Sequence, residues 1–280
     1  MPANLAALRS DIEHALAGRV VAPFTYRGRN ALPTVPIGIA EIDELTGGLP
    51  RGALTEIYGP ACSGRTSLLF SALAARTAQG ESCALIDGCD TFDPHSAEAA
   101  GVDLKKLLWV RCKNIDQALR STDLLLQSGG FGFMATDLTD VAPRLVRQVP
   151  LDSWFRFRRA VEDTPAILVL LDQESNAKTC ASLVLRMDAQ PACWIKTAPE
   201  QAVNRPPLSV GLLLNGTAAR AEVSRSRMQR AGGMHSRGNA GSVDRSSGET
   251  IFHTKAKWDS PDNALAQAPS GVPPRSATPV

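Results

Sequence analysis

The chain has 280 residues, enough for one large domain with appendages and a substantial buried core. Its 30 Lys and Arg against 28 Asp and Glu leave a formal net charge of +2, which excludes binding of nucleic acid by overall charge; any such surface must be local. The 6 cysteines (Cys62, Cys83, Cys89, Cys112, Cys180 and Cys193) show no C-x-x-C spacing, which argues against a zinc centre or a disulfide framework and for a reducing compartment.

No apolar run is long enough to cross a bilayer, and the N-terminus lacks the apolar core of a signal peptide. The expectation is a cytoplasmic protein with no membrane partner. Leu5, Leu8, Ile12 and Ala15 recur at helical spacing, which predicts an amphipathic helix over roughly the first eighteen residues. A stretch rich in Pro, Gly and Arg follows from Val20 to Thr34 and reads as a linker. Residues 1–35 thus form an N-terminal helix and linker, and the helix either folds back on its own domain or docks on a second subunit.

The core is expected over residues 36–230. Ala53 to Tyr58 is a short apolar and β-branched run and predicts a strand. Ser67 to Arg76 carries an apolar stripe and predicts a helix. Between them lies Gly59-Pro60-Ala61-Cys62-Ser63-Gly64-Arg65-Thr66, which fits the pattern G-x-x-x-x-G-K-[ST] except that Arg65 replaces lysine. Such a loop exposes successive backbone N–H groups and opens a helix whose dipole favours anions, so these residues and Ser67 are the candidate nucleotide ligands. Arginine keeps the charge but presents a planar fork of donors instead of a compact ammonium. Nucleotide binding tolerates that change better than transition-state stabilisation does.

Strands are then expected at Ser82 to Asp87, Leu107 to Arg111, Phe131 to Thr136 and Ala166 to Leu171. Helices are expected at Ala97 to Ala100, Ile115 to Gln127 and Asp152 to Glu162. The continuous apolar run Ala-Ile-Leu-Val-Leu-Leu at 166–171 suits a parallel sheet covered on both faces. Two further strands are read at Ser209 to Leu214 and Arg220 to Ser224. From about Ala231 the composition turns to Gly, Ser, Arg and Pro, and residues 231–280 are expected to be a disordered tail. Asp137, at the end of a strand, can order a magnesium ion whose other protein ligand is the Thr66 hydroxyl; a turn or helix-cap aspartate is the competing reading. In the helix from Ser153, Trp154, Phe157 and Val161 share one face, with Arg156 and Arg159 on another. Packing on the sheet with a solvated basic face competes there with contact to a single nucleic-acid strand.

The succession Gly47-Gly48-Leu49-Pro50-Arg51-Gly52, Glu56-Ile57-Tyr58-Gly59-Pro60, Ser63-Gly64-Arg65-Thr66, Cys83-Ala84-Leu85-Ile86-Asp87, Asp93-Pro94 and Gly101-Val102-Asp103-Leu104 resembles the core of RecA-type ATPases. The resemblance is close from about Pro36 to Asp137 and looser from Ala166 to Arg227. It implies an α/β fold with a mostly parallel central sheet flanked by helices, binding ATP and Mg2+. It implies that Gly59, Gly64 and Thr66 hold phosphate and metal, with Asp137 as the metal-ordering carboxylate and Asp93 at the adenine edge. Gln173 falls where the family has a γ-phosphate sensor, and Arg225 and Arg227 where it has two lysines that reach the nucleotide of an adjacent subunit. An exposed basic strand is the alternative for that arginine pair.

The departures point one way. Cys89 stands at the position of the catalytic glutamate, with Asp90 shifted by one residue so that its side chain points elsewhere. Ser96 stands at the adenine-stacking tyrosine, and the two segments that carry DNA-binding loops are short. No catalytic residue is assigned. Together with Arg144 to Arg159, these changes resemble the ImuA type of RecA-like accessory protein. That branch implies a role in damage-induced (SOS) mutagenesis beside a Y-family-like polymerase, with weak or no ATP hydrolysis; the helix and linker at the N-terminus add the expectation of self-association through that helix. An active DNA-dependent ATPase recombinase that binds single-stranded DNA is the alternative, and a nucleotide switch outside DNA metabolism is a third.

Overall fold

The structure is a computed structural model, described for residues 32–162, 164–196, 212–227 and 248–255. The expected N-terminal helix lies outside the described residues, as do most of the linker and most of the stretch from Ala231 onward. The described chain runs β1 (Thr34–Val35), α1 (Ala40–Thr46), β2 (Leu49–Pro50), β3 (Ala53–Tyr58), α2 (Arg65–Ala78), β4 (Cys83–Asp87), α3 (Pro94–Ala99) and β5 (Leu107–Arg111). It continues through α4 (Ile115–Ser128), β6 (Phe133–Asp137), α5 (Pro143–Arg147), α6 (Leu151–Val161), β7 (Ile167–Asp172), β8 (Leu183–Ala189), β9 (Cys193–Lys196), β10 (Leu212–Ser226) and β11 (Glu249–Lys255).

The main sheet has the order β11-β10-β8-β3-β7-β6-β4-β5, with β9 on the edge of β10. From β8 to β5 every pairing is parallel, whereas β9, β10 and β11 are joined by antiparallel pairings. Parallel strands need both faces covered, and the sequence supplies two apolar sets. On one face Leu68, Leu69 and Leu73 of α2 pack with Ile57, Leu85, Phe133, Val169 and Leu171. On the other, Trp154, Phe157 and Val161 of α6 pack with Leu54, Met134, Leu168 and Leu170. Successive residues of β7 therefore serve opposite cores, which is why its sequence is apolar throughout. The apolar face of α6 is thus packed on the sheet, as expected. No described helix is long and apolar enough to cross a membrane.

Three expectations need correction. Glu249–Lys255, inside the stretch expected to be disordered, is a strand paired with Gly216 to Glu222 of β10. Its Phe252 is 1% exposed and belongs to the core beneath α2. The two late strands are one continuous element, β10, and residues 209–211 lie outside the described chain. The helix expected at Ala97 starts earlier, at Pro94, because the Asp93 carboxylate caps it and proline suits its first turn. The strands β8 and β9 and the short helix α5 add to the expected elements.

Candidate nucleotide site

The C-terminal ends of β3, β4, β6 and β7 face one edge of the sheet, and the loops leaving them carry nearly all the candidate residues. The phosphate loop lies directly on the sheet. A Cβ on Gly59 would stand 2.1 Å from the Met187 carbonyl oxygen of β8, so no larger residue fits. Gly64 has φ +86°, and a Cβ there would meet Ala219 at 2.7 Å and Phe252 at 3.2 Å. The floor of the loop is thus built by β8, β10 and β11, the last being the strand the composition hides.

Both ends of the loop converge on one carbonyl. Gly59 N donates to Asp172 O at 3.3 Å, and the Arg65 guanidinium donates to the same oxygen at 2.6 Å. Arg65 is 7% exposed and turned under the loop. Burial lowers its pKa, opposed by the charges of Asp137, Asp140 and Asp172. Arg65 therefore serves as an internal counterion that closes the loop, in the place where the sequence pattern expects a phosphate ligand.

What remains open to an anion is the backbone and two hydroxyls. α2 has no side-chain cap at Gly64, so its first-turn N–H groups are unclaimed, and Cys62 has φ +60°, which helps turn successive amides inward. Ser63 is buried with its Oγ unpartnered, and Thr66 is exposed on the first turn of α2. This donor set fits polyphosphate. From Ser67 an open cleft of about 460 Å³ runs along α2, lined by Phe70, Ser71, Ala74, Ala100 and Thr254 among others, without Asp93 or Ser96, the expected adenine neighbours. The described residues contain no cluster of three or more His, Cys, Asp or Glu that could hold a metal on its own. A magnesium ion would have Thr66 and Asp137 from the protein, with phosphate oxygens and water completing its shell.

Asp137 closes β6, and its carboxylate accepts from Thr139 N at 2.9 Å. Burial raises its pKa, and the neighbouring charges of Asp87 and Asp140 push in the same direction. Gln173 follows β7 and donates from Nε2 to Thr139 O at 2.7 Å, tying the ends of β6 and β7 together. Asp172 itself accepts from Gln173 N at 2.6 Å and from Asn176 Nδ2 at 2.7 Å, and burial pushes its carboxyl up to about 6.

Sequence reasoning missed Glu56. It is fully buried in β3 and accepts from Asn176 N at 2.6 Å, Ala177 N at 2.7 Å and Ser175 Oγ at 2.7 Å. These residues belong to the crossover from β7 to β8, where the sequence is too short for a covering helix. Glu56 supplies the acceptors that the buried backbone N–H groups of Asn176 and Ala177 in this irregular segment need. A charged residue in the middle of an apolar strand was the available signal.

On the β4 side the arrangement differs. Asp87 accepts from Cys89 N at 3.2 Å, Phe92 N at 2.9 Å and Trp109 Nε1 at 3.2 Å, which pins the loop after β4. Cys89 is exposed, and its thiol pKa is raised by partial burial and then by Asp140, Asp87 and Asp137, so it stays a neutral thiol. Asp90 is held by Arg111 in a bidentate pair with both bonds at 2.6 Å, and Arg111 lies 4.9 Å above the Trp109 ring. Asp93 caps α3, accepting from His95 N, Ser96 N and Ser96 Oγ.

Arg225 and Arg227 are not brought to the phosphate loop of their own chain. Arg225 pairs with Val184 and Arg227 N donates to Ser182 O, near the start of β8. Met187, under Gly59, is three residues further along that strand, ~10 Å away. The Arg225 guanidinium donates to Lys178 O in the crossover.

The RecA N-terminal domain matches residues 4–148, more than half of the chain. The chain belongs to that family. The RecA proteins of Marinobacter nauticus and Pseudomonas fluorescens are 35% and 34% identical to this RecA-like chain over 135 residues, 48% of its length and 39% and 38% of theirs. That of Brucella anthropi is 39% identical over 116 residues, 39% of this chain and 32% of its own. The chain thus spans under two fifths of the length of these relatives. The crystal structure of the RadB recombinase superposes with a TM-score of 0.50 at 17% identity, covering 68% of this chain and 89% of that one, which shows a shared fold.

Proposed function

We propose that the chain is a RecA-like nucleotide-binding accessory factor of DNA damage tolerance, of the ImuA type, which binds ATP with Mg2+ and hydrolyses it weakly or not at all. The observation that carries this reading is the inward bond from Arg65 to Asp172 O, which takes the loop's one cationic side chain away from the phosphates. The neutral Cys89 thiol supports it, because orienting the attacking water needs a carboxylate or an equivalent acceptor. Such a factor acts in the cytoplasm through partners: a Y-family-like polymerase in the SOS response, single-stranded DNA, and further copies through the N-terminal helix. In that reading Arg225 and Arg227, which lie away from their own loop, would serve the nucleotide of a neighbouring copy, with Arg225 first releasing Lys178 O. Residues 1–35 would form the docking helix and linker, and 36–230 with β11 the nucleotide-binding core.

A second reading, the active DNA-dependent ATPase, draws on the open donors of the phosphate loop and the retained Asp137. Steady-state ATP turnover with and without single-stranded DNA separates the two. The accessory reading expects turnover near background with no stimulation by DNA, although a fluorescent ATP analogue binds. It also expects the double variant Arg65→Lys, Cys89→Glu to gain about tenfold or more. DNA-stimulated turnover in the unaltered chain, unchanged by that double variant, would sink it.

A further inference from the structure

The outer face of α6 carries chemistry that the nucleotide site leaves unused. Trp154, Phe157 and Val161 bind the inner face to the sheet, which fixes the helix in register. On the outer face Leu151, Phe155 and Arg159 follow one another at four-residue steps, so they form one stripe. Phe155 is 43% exposed and Leu151 39%. Phe155 also lines a cleft of about 460 Å³ with Arg158, Arg159 and Glu162. Arg158 is engaged by Glu162 at 3.5 Å, whereas Arg159 has no acidic partner among the described residues.

We propose that this stripe is a docking surface for an acidic amphipathic segment of another protein, which sets an apolar side chain against Phe155 and a carboxylate on Arg159. A rigid exposed aromatic beside an available arginine is the composition of an interface hot spot. Charge complementarity favours an acidic peptide over a nucleic-acid strand. Arg147, Arg156 and Arg158 are paired with Glu174, Asp123 and Glu162 respectively, so carboxylates sit among these cations and would repel a phosphodiester backbone. Arg159, which has no acidic partner among the described residues, next to two apolar side chains suits a mixed acidic and apolar segment. The inference rests on the accessory reading only in that such a factor needs partners. Binding at α6 and ATP turnover are separate measurements, so either can fail alone.

The test uses the full chain and a labelled helical peptide with Leu and Phe on one face and Glu on the other, read by fluorescence anisotropy. Comparison ligands are the same peptide with Lys for Glu, and oligo-dT. The Glu peptide should bind, and Phe155→Ser and Arg159→Glu should each weaken it about tenfold or more, since both side chains are exposed and the melting temperature should hold. The Lys peptide should bind only to Arg159→Glu. The proposal is overturned if the Glu peptide does not bind, if it binds both variants as well as the unaltered chain, or if oligo-dT is the ligand that those variants lose.

Discussion

The two sides of the nucleotide edge are built to different standards. At the ends of β3 and β7 the polar groups are buried and bonded into one network: Glu56 holds the crossover, Asn176 links it to Asp172, and the Asp172 carbonyl holds both Gly59 and Arg65. Past the end of β4 the carboxylates are taken up by local structure: Asp90 is paired with Arg111 and Asp93 caps a helix, while Cys89 between β4 and Asp90 is an exposed thiol. A chain that binds a nucleotide needs the first side to be rigid. Only a chain that cleaves it needs the second side to be poised. The difference teaches that the two tasks of a phosphate-loop ATPase can be served by separate parts of the sheet edge, and on the reading proposed above this chain would keep the first.

The comparison breaks most forcefully at Glu56. In Glu56→Ala the backbone N–H groups of Asn176 and Ala177 and the Ser175 hydroxyl lose their acceptor inside the protein. A buried donor left unpaired costs 1–3 kcal/mol, so a loss of about 3 kcal/mol or more is expected in urea unfolding. A loss below about 1 kcal/mol would mean that the crossover finds other acceptors and that the network on this side is slack. Next comes Gly64→Ala, which puts a methyl group 2.7 Å from the Ala219 Cβ in a left-handed backbone. About 1–3 kcal/mol of stability should go, together with binding of a fluorescent ATP analogue, because the loop can relieve the clash only by lifting off β10 and β11. Unchanged nucleotide affinity would show that the floor of the loop does not shape its donors.

Much of this was open to a reader of the sequence, and the exceptions have physical causes. The limits of β3 and β5 follow from their apolar runs, and the phosphate loop from its spacing, because those signals are local. The role of Arg65 was not legible: its identity predicts a charge, but its direction depends on a carbonyl 107 residues away. β11 escaped because Ile251-Phe252 is only a two-residue apolar step within a stretch dominated by Gly, Ser and Arg, and averaging over composition erased it. Only pairing with β10 makes it a strand. Asp93 and Asp90 show how far local partners matter: Ser96 and Arg111, near neighbours in the fold, bond their oxygens, which residue type alone does not reveal.

A smaller effect comes from titration on the bonded side. Burial pushes the Asp172 carboxyl up to about 6, against an ordinary value of about 3.9. Between those values the folded chain keeps a proton that the unfolded chain has released. The resulting stabilisation is complete below the ordinary value and is lost as pH rises through the folded one. Burial raises Glu56 and Asp137 in the same direction, so only a difference against a variant isolates Asp172. Relative to Asp172→Asn, the unaltered chain should gain on the order of 1 kcal/mol between about pH 7.5 and about pH 5. Parallel stability curves for the two chains would remove Asp172 from the network as a titrating member.

The smallest expected effect is the most discriminating for the other side. Asp90 adjoins Cys89, where the resemblance to RecA-type ATPases implies a catalytic glutamate, and a hydrolytic reading would make Asp90 the substitute. Its oxygens are both taken by Arg111, and this hydrogen-bonded pair holds its pKa below the ordinary carboxylate range, so it is a fixed, ionised surface group. A general base has to exchange its proton with water, and a carboxylate locked to a guanidinium does so poorly. Asp90→Ala should therefore leave the melting temperature, nucleotide affinity and residual ATP turnover unchanged within error, and Arg111→Ala should do the same. A clear fall in turnover for Asp90→Ala with nucleotide affinity intact would relocate the water-orienting carboxylate by one residue. The β4 side would then be a rearranged catalytic centre, and the separation of binding from cleavage drawn above would no longer hold.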